Sequence, residues 1–162
     1  MKRLIIIRHA KSSWEFDVID HERPLKNRGI SDAHLVSKHL KQMNLSVDKI
    51  LSSDAVRTKL TADIFVKNLG LETLDIEFKY KLYDFEGRDL LETVKNCDNT
   101  INTLMIFGHN HAITAFVNTY GDKFIDNVPT SGAVILDFNI TNWNRLTKGK
   151  TEACIFPRDF KV

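Results

Sequence analysis

Arg8 and His9 directly follow the apolar run Leu4-Ile5-Ile6-Ile7. Ser52-Ser53-Asp54, then Arg57-Thr58, follow Asp48-Lys49-Ile50-Leu51. Gly108-His109-Asn110 follows Thr103-Leu104-Met105-Ile106-Phe107. This set suits phosphoryl transfer. A phosphoryl group spreads its charge over its oxygens, and planar, always-charged guanidinium forks hold it. An imidazole can accept the group and split a hard hydrolysis into two easier steps. A second imidazole can donate to a phosphoryl oxygen. Helix N-termini after Arg57 and His109 would add backbone N–H donors. Nothing here resembles a Walker loop, a kinase loop or a carboxylate metal cluster.

These residues need elements to position them. Leu4–Ile7 is apolar throughout, as a strand buried on both faces must be. Short strands are expected at 48–51, 74–78 and 103–107. Helices are expected over Ser31–Met43, Ala55–Leu69, Asp89–Asn96 and His111–Tyr120, with Gly70 stopping the second. Gly132–Phe138 and Thr151–Phe156, joined by the polar stretch 139–150, read as a β-hairpin. Alternating strands and helices imply an α/β fold with a mainly parallel sheet between helical layers, the hairpin adding antiparallel pairing. In such sheets ligands bind beyond the carboxyl ends of the strands. The chemistry-bearing residues therefore converge on one rim. A lone Arg on a helix is ordinarily an ion-pair partner, and a lone His at a strand end is ordinarily a loop residue. Three matching strand ends argue against coincidence.

A length of 162 residues suits one domain, 1–162, with a core that needs no staples. A net charge of +2 gives no reason to invoke nucleic acid or a membrane surface, so any anion site must be a local cluster of cations. Cys97 and Cys154 lack CxxC spacing and read as reduced thiols. The opening apolar run is too short for a signal peptide, and no run approaches a membrane span. A cytoplasmic location is expected.

Arg8-His9-Ala10 resembles the Arg-His-Gly opening of the histidine phosphatase superfamily, also called phosphoglycerate-mutase-like. Ser52 to Thr58, with Thr61-Ala62, resembles its second Arg segment, and Gly108-His109-Asn110 its second His segment. The short phosphohistidine phosphatase branch is similar in three ways: Asp20-His21-Glu22-Arg23-Pro24-Leu25 followed by Gly29, the short length, and Pro129-Thr130-Ser131-Gly132 before the hairpin. The resemblance implies His9 as nucleophile and Arg8, Arg57 and His109 as the phosphate pocket. It also implies a three-layer α/β/α sandwich and no metal or organic cofactor. Ala10 departs from the family's Gly. His111 stands where Pro is frequent, and reads as a solvent-facing helix start or, less favoured, a rim group facing substrate.

Larger members add a carboxylic acid that protonates the leaving oxygen. The loop Tyr83 to Gly87 offers Asp84 and Glu86, although acids in a loop are ordinarily just solvated. Without a firm acid the site fits a phosphoramidate such as protein phosphohistidine better than a sugar phosphate, because imidazole departs with less help than an alkoxide. Ser13 is a candidate phosphate contact and Trp14 a packing residue or pocket wall. Arg23 either recruits anions or pairs locally with Asp20 or Glu22. His21, His34 and His39 read as structural. The expected activity is hydrolysis of phosphohistidine on a protein, or of small phosphomonoesters. The alternatives are a phosphomutase, which a short chain disfavours, and a non-catalytic phosphate-binding scaffold, which would need no nucleophile.

Overall fold

β1 (Lys2–Arg8) lies at the heart of one six-stranded sheet because its side chains bury on both faces. Leu4 and Ile6 enter one core, Ile5 and Ile7 the other. The chain continues through α1 (Asn27–Lys41), β2 (Lys49–Ser53), α2 (Val56–Leu69), β3 (Ile76–Lys79), α3 (Arg88–Lys95), β4 (Thr103–Gly108), α4 (Ala112–Tyr120), β5 (Ala133–Phe138) and β6 (Lys150–Ile155). The strand order is β3-β2-β4-β1-β5-β6. The computed structural model describes residues 1–161.

β2, β3, β4 and β1 run parallel, while β5 and β6 are antiparallel. The expected hairpin is therefore present and also joins the sheet through β1. α1 and α2 cover one face with Ala33, Val36, Leu40, Ala62, Phe65 and Val66. α3 and α4 cover the other with Leu90, Val94, Ile113, Phe116 and Val117. This is the expected three-layer α/β/α sandwich. β4 enters between β2 and β1, so three parallel carboxyl ends stand side by side. Gly70 ends α2 in the left-handed conformation, as expected (φ 68°). Among the described residues no helix is long and apolar enough to cross a membrane.

Two local expectations change. The connection 139–149 is less polar in practice than in composition: Trp143 is fully buried, with its indole N–H on the Ile101 carbonyl (2.8 Å). α1 begins at Asn27, four residues before the apolar period. Its first turn packs backbone against backbone, which leaves no stripe to read. Gly29 sits so close to the loop after β1 that a Cβ would lie 2.2 Å from the Lys11 carbonyl oxygen and 2.8 Å from its nitrogen. The same loop is tied by Lys26 N–H to the Lys11 carbonyl (2.9 Å) and by Ser13 N–H to the Pro24 carbonyl (2.8 Å).

Gly29→Ala is accordingly expected to cost about 1–3 kcal/mol, because backbone atoms cannot swing aside as a side chain would. Thermal melts should show a midpoint lowered by roughly 3–10 °C. An unchanged midpoint would mean that helix and loop are not in this contact.

Candidate active site

The parallel register sets Arg8 beside Gly108, which brings the residues that follow them together. His9 N–H donates to the Gly108 carbonyl (3.1 Å), and Ser131 N–H lies 3.1 Å from both the Arg8 and His9 carbonyls. From the third strand end, Thr61 reaches across: its hydroxyl accepts from Ala10 N–H (2.9 Å) and donates to the Arg57 carbonyl (2.7 Å). The His9 loop is thus clamped by β4, by the turn before β5 and by α2.

His9 is 7% exposed. Its Nδ1 lies 2.7 Å from the Ala10 carbonyl, which can only accept, so Nδ1 carries the proton and Nε2 keeps a lone pair. Burial first, then the charges of Arg57, Arg8 and Arg23, push its pKa down from the ordinary value to about 3, against the raising effect of the Ala10 carbonyl. His9 is then neutral at pH 7 with a lone pair on Nε2.

The His109 ring lies 5.2 Å from the His9 ring and is walled by Tyr83 and Phe85. Burial, then His9 and Arg57, push its pKa down as well. Arg57, 2% exposed, is gripped by Asp20: Nη1 donates to the Asp20 backbone carbonyl (2.7 Å) and Nη2 to its carboxylate (2.9 Å). Arg8 Nη1 donates to the Val128 carbonyl (2.9 Å), while burial and then the Arg57 charge push the Arg8 pKa down.

A cleft of about 640 Å³ opens over these groups. Arg8, Lys11, Arg23, Lys26 and Arg57 line it against one carboxylate, Asp20, with His9, Ser12, Trp14, Phe85, Asn110 and Thr130 completing the wall. Among the described residues, the buried side-chain polar atoms without a protein partner are Arg8 Nε, Arg57 Nε, His109 Nδ1 and Ser131 Oγ. Native proteins pair nearly all such groups, so these four ask for an explanation. Arg8 ends β1, Arg57 lies in the first turn of α2, His109 directly follows β4 and Ser131 precedes β5.

The weaker candidates divide. Arg23 does line the cleft, stacked 3.5 Å from the Trp14 ring and bonded to Asp20 and to Ser12 Oγ (2.7 Å). Both of its alternative roles are therefore available at once. Trp14 is cleft wall. Ser13 is not brought in, since its hydroxyl accepts from Glu15 N–H (3.0 Å), and Ser12 faces the cleft instead. Asp84 is not brought in either. Its carboxylate accepts from the N–H groups of Glu86, Gly87 and Leu90 and so caps the start of α3. Glu86 is exposed on the far side of that loop, beside Leu91 and Phe116. His111 is exposed at the start of α4 and is not among the residues that line the cleft, although Asn110 beside it is.

Sequence reasoning treated Asp20 only as a partner for Arg23 and missed its grip on Arg57. Tyr83, whose hydroxyl donates to Asp20, and Ser53, Thr61 and Ser131 all stand in segments singled out above, but nothing in the sequence marks what their hydroxyls would face. Asp20 and Arg23 share one short motif, which was the available signal.

Comparison with known proteins agrees with this geometry. The model of the histidine phosphatase superfamily (branch 1) matches residues 4–92. The chain belongs to that superfamily, and membership supports phosphatase chemistry. An uncharacterized protein of Mycobacterium tuberculosis is 26% identical over 140 residues, spanning 80% of this chain and 85% of its own. An uncharacterized chloroplastic protein of Arabidopsis thaliana is 34% identical over 119 residues, spanning 67% and 54%. In fold the chain is similar to the protein histidine phosphatase SixA in complex with tungstate (TM-score 0.79, 16% identity, 98% and 99% coverage). It is similar too to SixA from Agrobacterium tumefaciens (TM-score 0.77, 20% identity, 94% and 96%).

The depressed His9 pKa has a measurable consequence. In the free protein, the His9 ring should take up no proton between pH 8 and pH 5, as followed by ring 15N shifts. A titration near 6.5 would remove the argument for a permanently neutral ring. The same shift bears on stability. Below about 6.5 an unfolded imidazole binds a proton that the buried native one refuses, so stability should fall as pH drops from there towards 3.

Proposed function

We propose that this protein is a phosphatase that hydrolyses phosphohistidine on a protein, or small phosphomonoesters, through a covalent phosphohistidine on His9. The observation that carries the reading is the set of buried, unpartnered groups on Arg8, Arg57, His109 and Ser131 at the strand ends that hold a neutral His9. Three of these groups are N–H donors or can be, and a phosphoryl group offers the oxygens to match. In the first step His9 Nε2 attacks phosphorus and the bond from phosphorus to the leaving group breaks. In the second, water attacks phosphorus, the P–Nε2 bond breaks and phosphate departs. His9 is neutral again at the end.

The leaving group points to substrate class. Burial raises the Asp20 pKa, but the hydrogen bonds from Tyr83 and Arg57 outweigh it and hold the carboxyl far below the usual range. Asp20 is thus ionised at neutral pH and cannot deliver a proton. Asp84 is occupied in capping α3. A phosphohistidine needs no such acid, since its second ring nitrogen can be protonated from solvent and the imidazole leaves neutral. The exposed Trp14 of the cleft wall, with the exposed Phe16 two residues on in the chain, suits a side chain presented on a protein surface.

The test is a panel comprising a phosphohistidine-bearing carrier protein, an aryl phosphate and a sugar phosphate. kcat/KM should be highest for the phosphohistidine and lowest for the sugar phosphate, by at least about tenfold. Among the described residues no three His, Cys, Asp or Glu side chains group as a metal would require, so turnover should survive exhaustive chelation. A preference for the sugar phosphate would overturn the phosphohistidine assignment, and loss of activity restored by one divalent ion would overturn the metal-free mechanism.

A further inference from the structure

His109 Nε2 lies 2.8 Å from Ser53 Oγ and 3.2 Å from Thr58 Oγ1, at the junction of β2 and α2. Ring and hydroxyls are all essentially inaccessible to solvent. Such a neutral ring has two tautomers, and only one matches the pocket. If Nε2 carried the proton, Nδ1 would present a bare lone pair and repel phosphoryl oxygens. If Nδ1 carries it, the unpartnered buried atom of this ring becomes a donor.

Ser53 decides between them. Its oxygen already accepts from Ala55 N–H (3.2 Å), the turn that leads into α2. With that lone pair occupied, its own proton is the one free to be given, and the nearest acceptor is His109 Nε2. Were Nε2 protonated instead, Ser53 would accept twice and its hydroxyl proton would be left buried without an acceptor, which costs more than a hydrogen bond contributes. We infer that Ser53 is a positioning residue that holds His109 as the Nδ1–H tautomer, so that the ring offers a preformed donor to the phosphoryl group. The step from tautomer to phosphoryl group rests on the function proposed above; the tautomer itself does not. The arrangement parallels His9, where the Ala10 carbonyl also fixes the proton on Nδ1 but leaves Nε2 as the attacking atom. Two histidines with the same tautomer thereby take opposite parts, because different nitrogens remain open.

The experiment is 15N NMR of histidine-labelled protein, which reports the protonation of each ring nitrogen without any substrate. Wild-type His109 should show a protonated Nδ1 and an unprotonated Nε2. The reverse pattern overturns the inference outright, and this measurement needs no variant to fold. In Ser53→Ala, verified as folded by its thermal melt, His109 should become a mixture of tautomers, and kcat should fall about tenfold as one aligned donor is lost. Ser53→Thr, which restores a hydroxyl, should recover both. A folded Ser53→Ala with the wild-type tautomer would also overturn it. A changed tautomer with unaltered hydrolysis would leave Ser53 as the tautomer-setting group but contradict the placement of Nδ1–H on the phosphoryl group. Protein that hydrolyses no phosphorylated compound would count against the proposed function, while the 15N shifts would still decide the role of Ser53.

Discussion

His9→Ala is expected to lower hydrolysis by at least about a thousandfold while the protein remains folded. The kinetic loss follows from the mechanism: with no atom to accept the phosphoryl group, both half-reactions disappear. The structural tolerance follows from the neighbourhood. His9 stands in the loop after β1, and its side chain makes one hydrogen bond, to the carbonyl of the next residue. Its removal leaves that carbonyl unpaired, at a cost of about 1 kcal/mol. The backbone hydrogen bonds from His9 N–H to Gly108 and from Ser131 N–H are unaffected by the substitution. Steady-state hydrolysis and a thermal melt check the two halves. Rapid acid-free quenching with labelled substrate adds a third readout, because wild-type protein should retain an alkali-stable phosphoramidate and the variant none. Label retained by folded His9→Ala would move the nucleophile elsewhere, with His109 the first place to look.

Arg57→Lys should lower activity strongly, by roughly tenfold to a hundredfold. Both terminal nitrogens of Arg57 are committed to Asp20, and its Nε–H edge is the part left without a partner. Asp20 in turn is held by Arg23 and Tyr83, so the guanidinium plane is fixed before substrate arrives. Lysine keeps the charge but offers one compact ammonium. It must serve either Asp20 or the phosphoryl group, and cannot keep the orientation that serves both. Vanadate, which imitates the five-coordinate transferring group, should bind the variant more weakly by a similar factor. Unaltered hydrolysis together with unaltered vanadate inhibition would show that Arg57 faces Asp20 alone. It would then be a buried structural cation and no part of the pocket.

Arg57 also illustrates where reading the chain stops. Its residue type and its position after an apolar run are local facts, and they suffice to nominate it. That its two outer nitrogens are taken by a residue 37 positions earlier is not local. Reasoning from the sequence assigns the whole fork to the phosphate, whereas the structure leaves it one edge. Asp84 shows the converse. An acid near the second half of the chain invites a catalytic role, but helix capping competes for the same carboxylate, and capping depends on where α3 begins. The start of α1 escapes the sequence pattern for a related reason: apolar periodicity reports side-chain burial, and the turn at Gly29 packs by backbone contact.

The strands, the helices and their alternation are determined by the sequence alone, because solvent exclusion imposes a period that neighbouring residues must satisfy together. Arg8, His9, Arg57 and His109 are legible for the same reason, each tied to the end of an apolar run, and parallel strands put their carboxyl ends on one side. The tertiary structure decided everything that depends on distance between segments far apart in the chain. It set Asp20 on Arg57, Thr61 of α2 on the His9 loop, Ser53 on His109, and Ser131 N–H on the Arg8 and His9 carbonyls. A hydroxyl or carboxylate carries no sign of its partner in its own neighbourhood, since a hydrogen bond requires both groups within about 3 Å and aligned, a condition only the folded chain imposes.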